Sequence, residues 1–249
     1  MRFLQTLVSN IGFREPAAND RRTELFLEIL SIAKARSAEA LVLPGGYWTV
    51  DDFAKVEPKA HQMCEAADRA AIALIAGVDV QTGKARKAKV KKSKGGSNPH
   101  LPYFGIVGGH DLELHVWQQT SSDSQNAWDV PDEDIPGTNR VVPIGGARIG
   151  VLICGELFSP HARASMAAAS PTLVVDLGHV SMGTGVTPSM ERIAADGRCA
   201  VVHTQHVTPY SSASLHFVAK NGKRNSTPLD ECSWIGDDQF WIAYCMREC

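Results

Sequence analysis

Two rhythms of apolar and polar positions run through the chain. Apolar runs of strand length occupy residues 3–8, 40–43, 72–80, 103–107, 141–144, 148–153, 172–177 and 199–204, with later ones at 215–219 and 239–244. Between them lie segments with helical spacing. In 21–35 the stripe is Leu25, Phe26, Ile29, Leu30 and Ala33, with Asn19 and Asp20 as caps ahead of it. Residues 58–71, 161–169 and 188–196 read as further helices. Gly108-Gly109-His110-Asp111 joins 103–107 to 112–120, and Gly145-Gly146 joins 141–144 to 148–153, so each pair reads as a hairpin. Glu113 alternates with Leu112 and Leu114 and is expected to face solvent. Crossovers and hairpins are mixed from end to end. This predicts a layered α/β fold with a mixed sheet rather than separate helical and β domains.

Composition narrows the class. The 249 residues, 44% hydrophobic and 21% charged with a net charge of -2, have the make-up of a globular protein with room for one large domain or two small ones, and the chain is read as a single domain over 1–249. No apolar run approaches the roughly 20 residues of a membrane helix. The start, MRFLQTLVSNIGF, lacks the pattern of a secretory signal, so a cytoplasmic protein without membrane contact is expected. Six scattered cysteines do not make a disulfide framework, and reduced thiols are expected. Cys245 and Cys249 lie four apart but bring too few ligands for a metal, so neither a metal nor a cofactor is predicted. The lysine-rich run from Lys84 to Lys94 reads as part of a mobile basic loop at about 84–99. A nucleic acid or acidic partner is the alternative there, but no aromatic residue interleaves the run to stack on bases.

The stretch VLICGELFSP, from Val151 to Pro160, carries the chemistry. A thiolate attacks carbonyl and nitrile carbons, and Cys154 falls where an apolar strand ends and the chain turns. A following helix start would favour negative charge, Gly155 would admit a substrate close to the backbone, and the turn could supply an oxyanion hole. A small buried hydrophobe is the competing reading of such a cysteine. Glu156 and His179 are candidates to activate the thiol: Gly178-His179 follows the next strand and could end beside Cys154. His203 and His206 flank another strand end with the same ambiguity between chemistry and packing.

The run GGARIGVLICGELFSP resembles the nucleophile motif of the nitrilase superfamily of carbon–nitrogen hydrolases: Cys154, then the acid Glu156, then Pro160. The likeness extends in order along nearly the whole chain. Residues 40–44 look like the family's first active-site strand, Arg192 and Gln205 fall on a later helix and strand, and 215–222 resemble the late strand and turn. The resemblance implies an α-β-β-α sandwich, a small-molecule substrate, association into homo-oligomers, and hydrolysis of an amide-like C–N bond through a cysteine thioester. It also implies a glutamate base directly after the proline of the first strand, where this chain has Gly45. The lysine expected after the central hairpin is replaced by Gln119, or by Gln118 one position earlier. A further glutamate of the family falls near Glu133, between Asp132 and Asp134.

Two readings stay open at this point. One is a divergent thiol hydrolase acting through Cys154. The other is a catalytically degenerate nitrilase-like binding or regulatory module, with Gly45, Gln119, Glu133, Gly155, Glu156 and His179 lining its pocket.

Overall fold

A computed structural model describes residues 1–81, 103–121, 135–180, 184–208 and 213–249. The basic run from Lys84 to Lys94 lies outside them, as does Glu133 with its acidic neighbours. The elements in chain order are β1 (Arg2–Ser9), α1 (Asn19–Ala35), β2 (Ala40–Val42), β3 (Trp48–Val50), α2 (Val56–Ala70), β4 (Ala73–Val80), β5 (Tyr103–Gly109) and β6 (Leu112–Gln118). The second half adds β7 (Val141–Ile144), β8 (Ala147–Ile153), α3 (Pro160–Ala168), β9 (Leu173–Val180), α4 (Val186–Gly197) and β10 (Ala200–Val207). Five strands end the chain: β11 (Ser214–Leu215), β12 (Phe217–Val218), β13 (Thr227–Pro228), β14 (Ser233–Gly236) and β15 (Trp241–Glu248).

The main ladder runs β6-β5-β4-β2-β1-β10-β9-β8-β7, with β1 parallel to both β2 and β10 at its middle. It is curled, so its two halves face one another. Val42, Ile75 and Val107 from one half share a core with Ile153, Val175, Leu177 and Val202 from the other. Outside the first half, α1 and α2 pack Leu25, Phe26, Ile29, Ala60 and Met63 onto Leu4, Leu41, Leu74 and Val78. Outside the second half, α3 and α4 pack Ala162, Met166, Met190 and Ile193 onto Leu152, Val174 and Val201. The result is a four-layer α-β-β-α sandwich whose two sheet layers remain hydrogen-bonded through β1 and β10. The central strands are apolar on both faces because each face has a neighbouring layer.

Local chemistry explains the turns. His110 and Asp111, at φ 49° and 62°, close the β5–β6 hairpin in the left-handed region, and Gly145 and Gly146 do the same between β7 and β8. Glu113 is exposed, as its alternation predicts. The cap expected ahead of α1 is different. Ala18 occupies that place without a side-chain bond, and Asn19 has joined the helix. Its amide is used on β3 instead: Nδ2 donates to Thr49 O at 2.7 Å and Oδ1 accepts from Thr49 N at 3.1 Å. Bridging two elements satisfies more backbone groups there than a local cap would. Among the described residues no helix is long and apolar enough to cross a membrane.

Phe26 is fully buried and meets Trp48 edge-on, with ring centroids 5.0 Å apart. Phe26→Ala is expected to lower unfolding free energy by about 3–5 kcal/mol, measured by urea denaturation, because the rigid α1–β3 contact cannot collapse onto the void.

Candidate active site

The parallel strands β1, β2, β4, β8, β9 and β10 end on one side of the sandwich, and the chemistry-bearing residues gather there. Open α/β sheets bind ligands at this edge because the chain leaves every strand as a loop. Ile153 is the last extended residue of β8, and Cys154 follows at φ 51°. A left-handed non-glycine residue costs about 1–2 kcal/mol. Its surroundings must hold it there.

Glu156 provides the hold. Its fully buried carboxylate accepts from Ile153 N at 2.8 Å, Thr120 N at 2.6 Å and Thr120 Oγ1 at 2.8 Å. Arg140, also fully buried, donates from Nη1 at 2.7 Å and Nη2 at 3.2 Å. Nη2 of Arg140 also donates to Gln118 O at 2.7 Å, which fastens the end of β6 to the elbow. Burial pushes the Glu156 proton affinity up, while Arg140 and the Thr120 and Ile153 donors pull it back. A carboxylate so enclosed braces the turn; it has no lone pair left over for a neighbouring thiol.

The helix start anticipated behind the cysteine also differs. Residues Cys154–Phe158 form a single 3-10 turn, and α3 begins only at Pro160, capped by Ser159 Oγ, which accepts from Ala162 N at 3.3 Å. The electrostatic partner of Cys154 comes from β9 instead. His179 is 5% exposed; its imidazole pairs with Asp79 and lies within electrostatic reach of Cys154. Nε2 lies 2.9 Å from Asp79 Oδ1. Asp79, at the end of β4, is itself buried and takes Arg14 Nε on Oδ2 at 3.2 Å. Burial opposes a charge on His179, but the nearby Asp79, its hydrogen bond and Cys154 prevail and raise it to about 10. Aromatic rings complete the wall. Tyr103 lies 4.5 Å from His179, Phe13 lies 4.6 Å from His206, and the Arg14 guanidinium sits 4.7 Å over Tyr103.

The Pro44-Gly45-Gly46 segment makes room for this dyad. It interrupts β2 and β3, both of which pair with β4, and crosses β4 at Gly77, where a Cβ would lie 2.5 Å from Gly45 Cα. A Cβ on Gly45 would stand 2.7 Å from Leu177 O and 3.1 Å from His179 Nε2. Gly46, at φ +64°, packs directly beneath Asp79 Oδ2, 2.6 Å from where its Cβ would be. Gly45 N donates to Gly178 O at 3.0 Å, and His206 Nε2 lies 3.0 Å from Gly45 O, so the loop is tied to both neighbouring strands.

Of the residues singled out in the sequence, Cys154, His179 and Gly45 thus come together, and Gly155 and Glu156 are buried in the elbow beside them. Gln119 is buried, but its Nε2 donates to Ser121 O at 2.6 Å. Arg192 is exposed on α4 and Gln205 is half-buried on β10. His206 is a buried neutral imidazole, its proton affinity lowered by burial and by Arg22. His203 is fully buried against Asp176, with Nδ1 2.6 Å from Oδ2. Sequence reasoning missed Asp79. The signal was present: Asp79 is the sole charge in the apolar run 72–80. A carboxylate buried in a central strand needs a partner.

Comparison with known proteins bears on the fold. No family model matches the chain, and no curated protein sequence matches it. Solved structures do. A variant of the amidase from Nesterenkonia sp. AN1, showing Michael addition of acrylamide at the active-site cysteine, superposes with a TM-score of 0.66 at 16% identity, covering 98% of this chain and 92% of that one. Another structure of an amidase from Nesterenkonia sp. gives 0.63 at 15% identity over 98% and 90% of the two chains. A further variant of that amidase, described as from the nitrilase superfamily, gives 0.59 at 15% identity over the same shares. The chain therefore shares the fold of these amidases. Within that fold, this chain sets His179 near Cys154 and Asp79 behind His179.

Two outcomes follow from the geometry. Glu156→Ala leaves the Arg140 charge buried without its carboxylate and is expected to lower stability by about 3–5 kcal/mol in urea denaturation. His179 keeps its proton in the folded chain to about pH 10, whereas the unfolded value is 6.5. Its contribution to stability is complete below about pH 6.5 and is lost as pH rises through about 10. Denaturation midpoints of His179→Gln are expected to fall less steeply across that window than those of the unaltered chain.

Proposed function

We propose that the chain is a thiol hydrolase of small amides, with Cys154 as nucleophile, His179 as the proton-transferring group and Asp79 holding His179 in place. One observation carries this reading: His179 pairs with a buried carboxylate and lies within electrostatic reach of Cys154. A cysteine with an adjacent histidine, oriented by a third group, is the general arrangement of an activated nucleophile. It answers the loss of the family glutamate, because His179 fills the space into which a side chain at position 45 would project.

The chemistry balances in two halves. The Cys154 thiolate attacks the amide carbonyl carbon, and the oxyanion forms at the elbow, where the backbone N–H of Gly155 is the nearest donor in sequence. The His179 imidazolium gives its proton to the departing nitrogen, the C–N bond breaks, and an amine or ammonia leaves a thioester on Cys154. Neutral His179 then takes a proton from water as the water oxygen attacks the thioester. The carboxylic acid leaves, and the thiolate and imidazolium are restored. The Asp79 carboxylate faces His179 and stabilises the imidazolium in both halves. Arg14, on the far side of Asp79, fixes the carboxylate against rotation. The reaction needs no cofactor.

The competing reading, a degenerate scaffold, draws support from Gln119. It is uncharged, its amide donor is engaged by Ser121 O, and it cannot stabilise an oxyanion as a lysine would. Two measurements separate the readings. Iodoacetamide near pH 7, followed by mass mapping, is expected to alkylate Cys154 well ahead of Cys249; equal rates would leave the scaffold reading standing. Ammonia release from butyramide is expected to vanish in Cys154→Ala and to fall about 10²–10⁴-fold in His179→Gln. A His179→Gln chain as active as the unaltered one would remove His179 from the mechanism.

A further inference from the structure

A second pair of reactive groups lies away from this site, at the C-terminal strands. β14 and β15 are antiparallel with Ser233 opposite Tyr244 and Trp234 opposite Ala243. One step further along the same register sets Cys232 opposite Cys245. The two sulfurs are 3.6 Å apart. Directly opposed residues in an antiparallel pair have Cα atoms about 4.5 or 5.5 Å apart, and both separations fall within the range a disulfide spans. The spacing in sequence hides this relation. Cys245 and Cys249 sit four apart on one extended segment but pack against different clusters, whereas the neighbour of Cys245 is thirteen residues upstream.

The surroundings divide the cysteines. Cys64 and Cys199 are buried among aliphatic side chains, and burial pushes their thiols up to about 12 and about 11. Cys245 is half-buried, with its neighbour Cys232 packed under it against Leu7, Leu229 and Trp241. The hydrogen bond with Cys232 lowers Cys245 to about 6; burial opposes this, and Arg247, Thr227 and Arg36 add to it. The same bond raises Cys232. A thiolate with a resolving thiol in contact is the arrangement of a redox-sensitive cysteine. Among the described residues no third ligand stands by to make the pair a metal site.

We propose that Cys232 and Cys245 are a redox-active dithiol that hydrogen peroxide converts to a disulfide, locking β15 to the segment that enters β14. The Cys245 thiolate attacks one peroxide oxygen, the O–O bond breaks, and with one proton taken up a water leaves, giving a sulfenic acid. The Cys232 sulfur attacks that sulfur, the S–O bond breaks, and the hydroxyl departs as a second water with the Cys232 proton. Two thiols and one peroxide become one disulfide and two waters. A small dithiol such as dithiothreitol reverses the step by exchange. Because β15 pairs along β1 from Arg2↔Glu248 to Val8↔Ile242, the new bond would tie the central strand's neighbour to the C-terminal hairpin.

The test uses the full chain carrying Cys154→Ser, so that the outcome does not depend on the thiol hydrolase reading. Protein is treated with a small excess of hydrogen peroxide near pH 7, blocked with N-ethylmaleimide, digested and mapped by mass. The expected product is a cross-linked peptide pair joining Cys232 to Cys245, lighter by two hydrogens than the separate thiol peptides and abolished by dithiothreitol. Cys245 is expected to be consumed at least ~10-fold faster than Cys64 or Cys199, as its thiolate character requires. In Cys232→Ala, Cys245 is expected to advance to sulfinic acid instead of a disulfide. Cys232 and Cys245 both remaining open to N-ethylmaleimide, or Cys245 linking to Cys249 or to a second chain instead, would overturn the proposal.

Discussion

A buried imidazolium cannot stand without a counter-charge, and Asp79 supplies it to His179. Much of the candidate site is arranged around that contact. The carboxylate reaches the end of β4 because β4 runs through the middle of one sheet layer, and His179 reaches it from β9 in the facing layer. The pair therefore exists only when the curled sheet has closed. Arg14 engages the remaining carboxylate oxygen, and the rings of Phe13 and Tyr103 fill the space around the imidazole. Assembly of the sandwich and assembly of the site are thus one event, not a scaffold followed by a decoration.

A second ion pair does a different job. Glu156 and Arg140 are fully buried, and the carboxylate is saturated by five donors, three of them within the segments it joins. Buried pairs of this kind contribute little net stability, but separating the partners leaves a charge buried without its counter-charge. Here the alternative is a relaxed turn at Cys154, and the pair holds that residue in its left-handed conformation. The molecule separates its two acidic functions in space. One carboxylate shapes the backbone, and the other sets a proton.

The sequence disclosed the architecture well, because the alternation of apolar runs and helical stripes is a local property. Both hairpins could be read from their glycine turns, and Cys154 stood out where an apolar run meets Gly155. What could not be read was which strand ends meet across the sandwich. Asp79 and His179 lie a hundred positions apart and belong to different sheet layers. Only the solitary charge in an apolar strand hinted that Asp79 was special. Glu156 looked like a base because it neighbours Cys154 in sequence, yet one turn of chain carries its carboxylate inward to Arg140 rather than toward the sulfur. Asn19 looked like a cap for the same reason, and its amide is spent on β3. The opposed pair Cys232 and Cys245 depends on strand register, which a local pattern does not fix across a hairpin of this length.

The absence of a side chain at position 45 has a consequence for how such a site can change over generations. A side chain there would meet the imidazole of His179 and the carbonyl of Leu177 at its first carbon. Any side chain gained at position 45 must therefore displace His179 from its place beside Asp79.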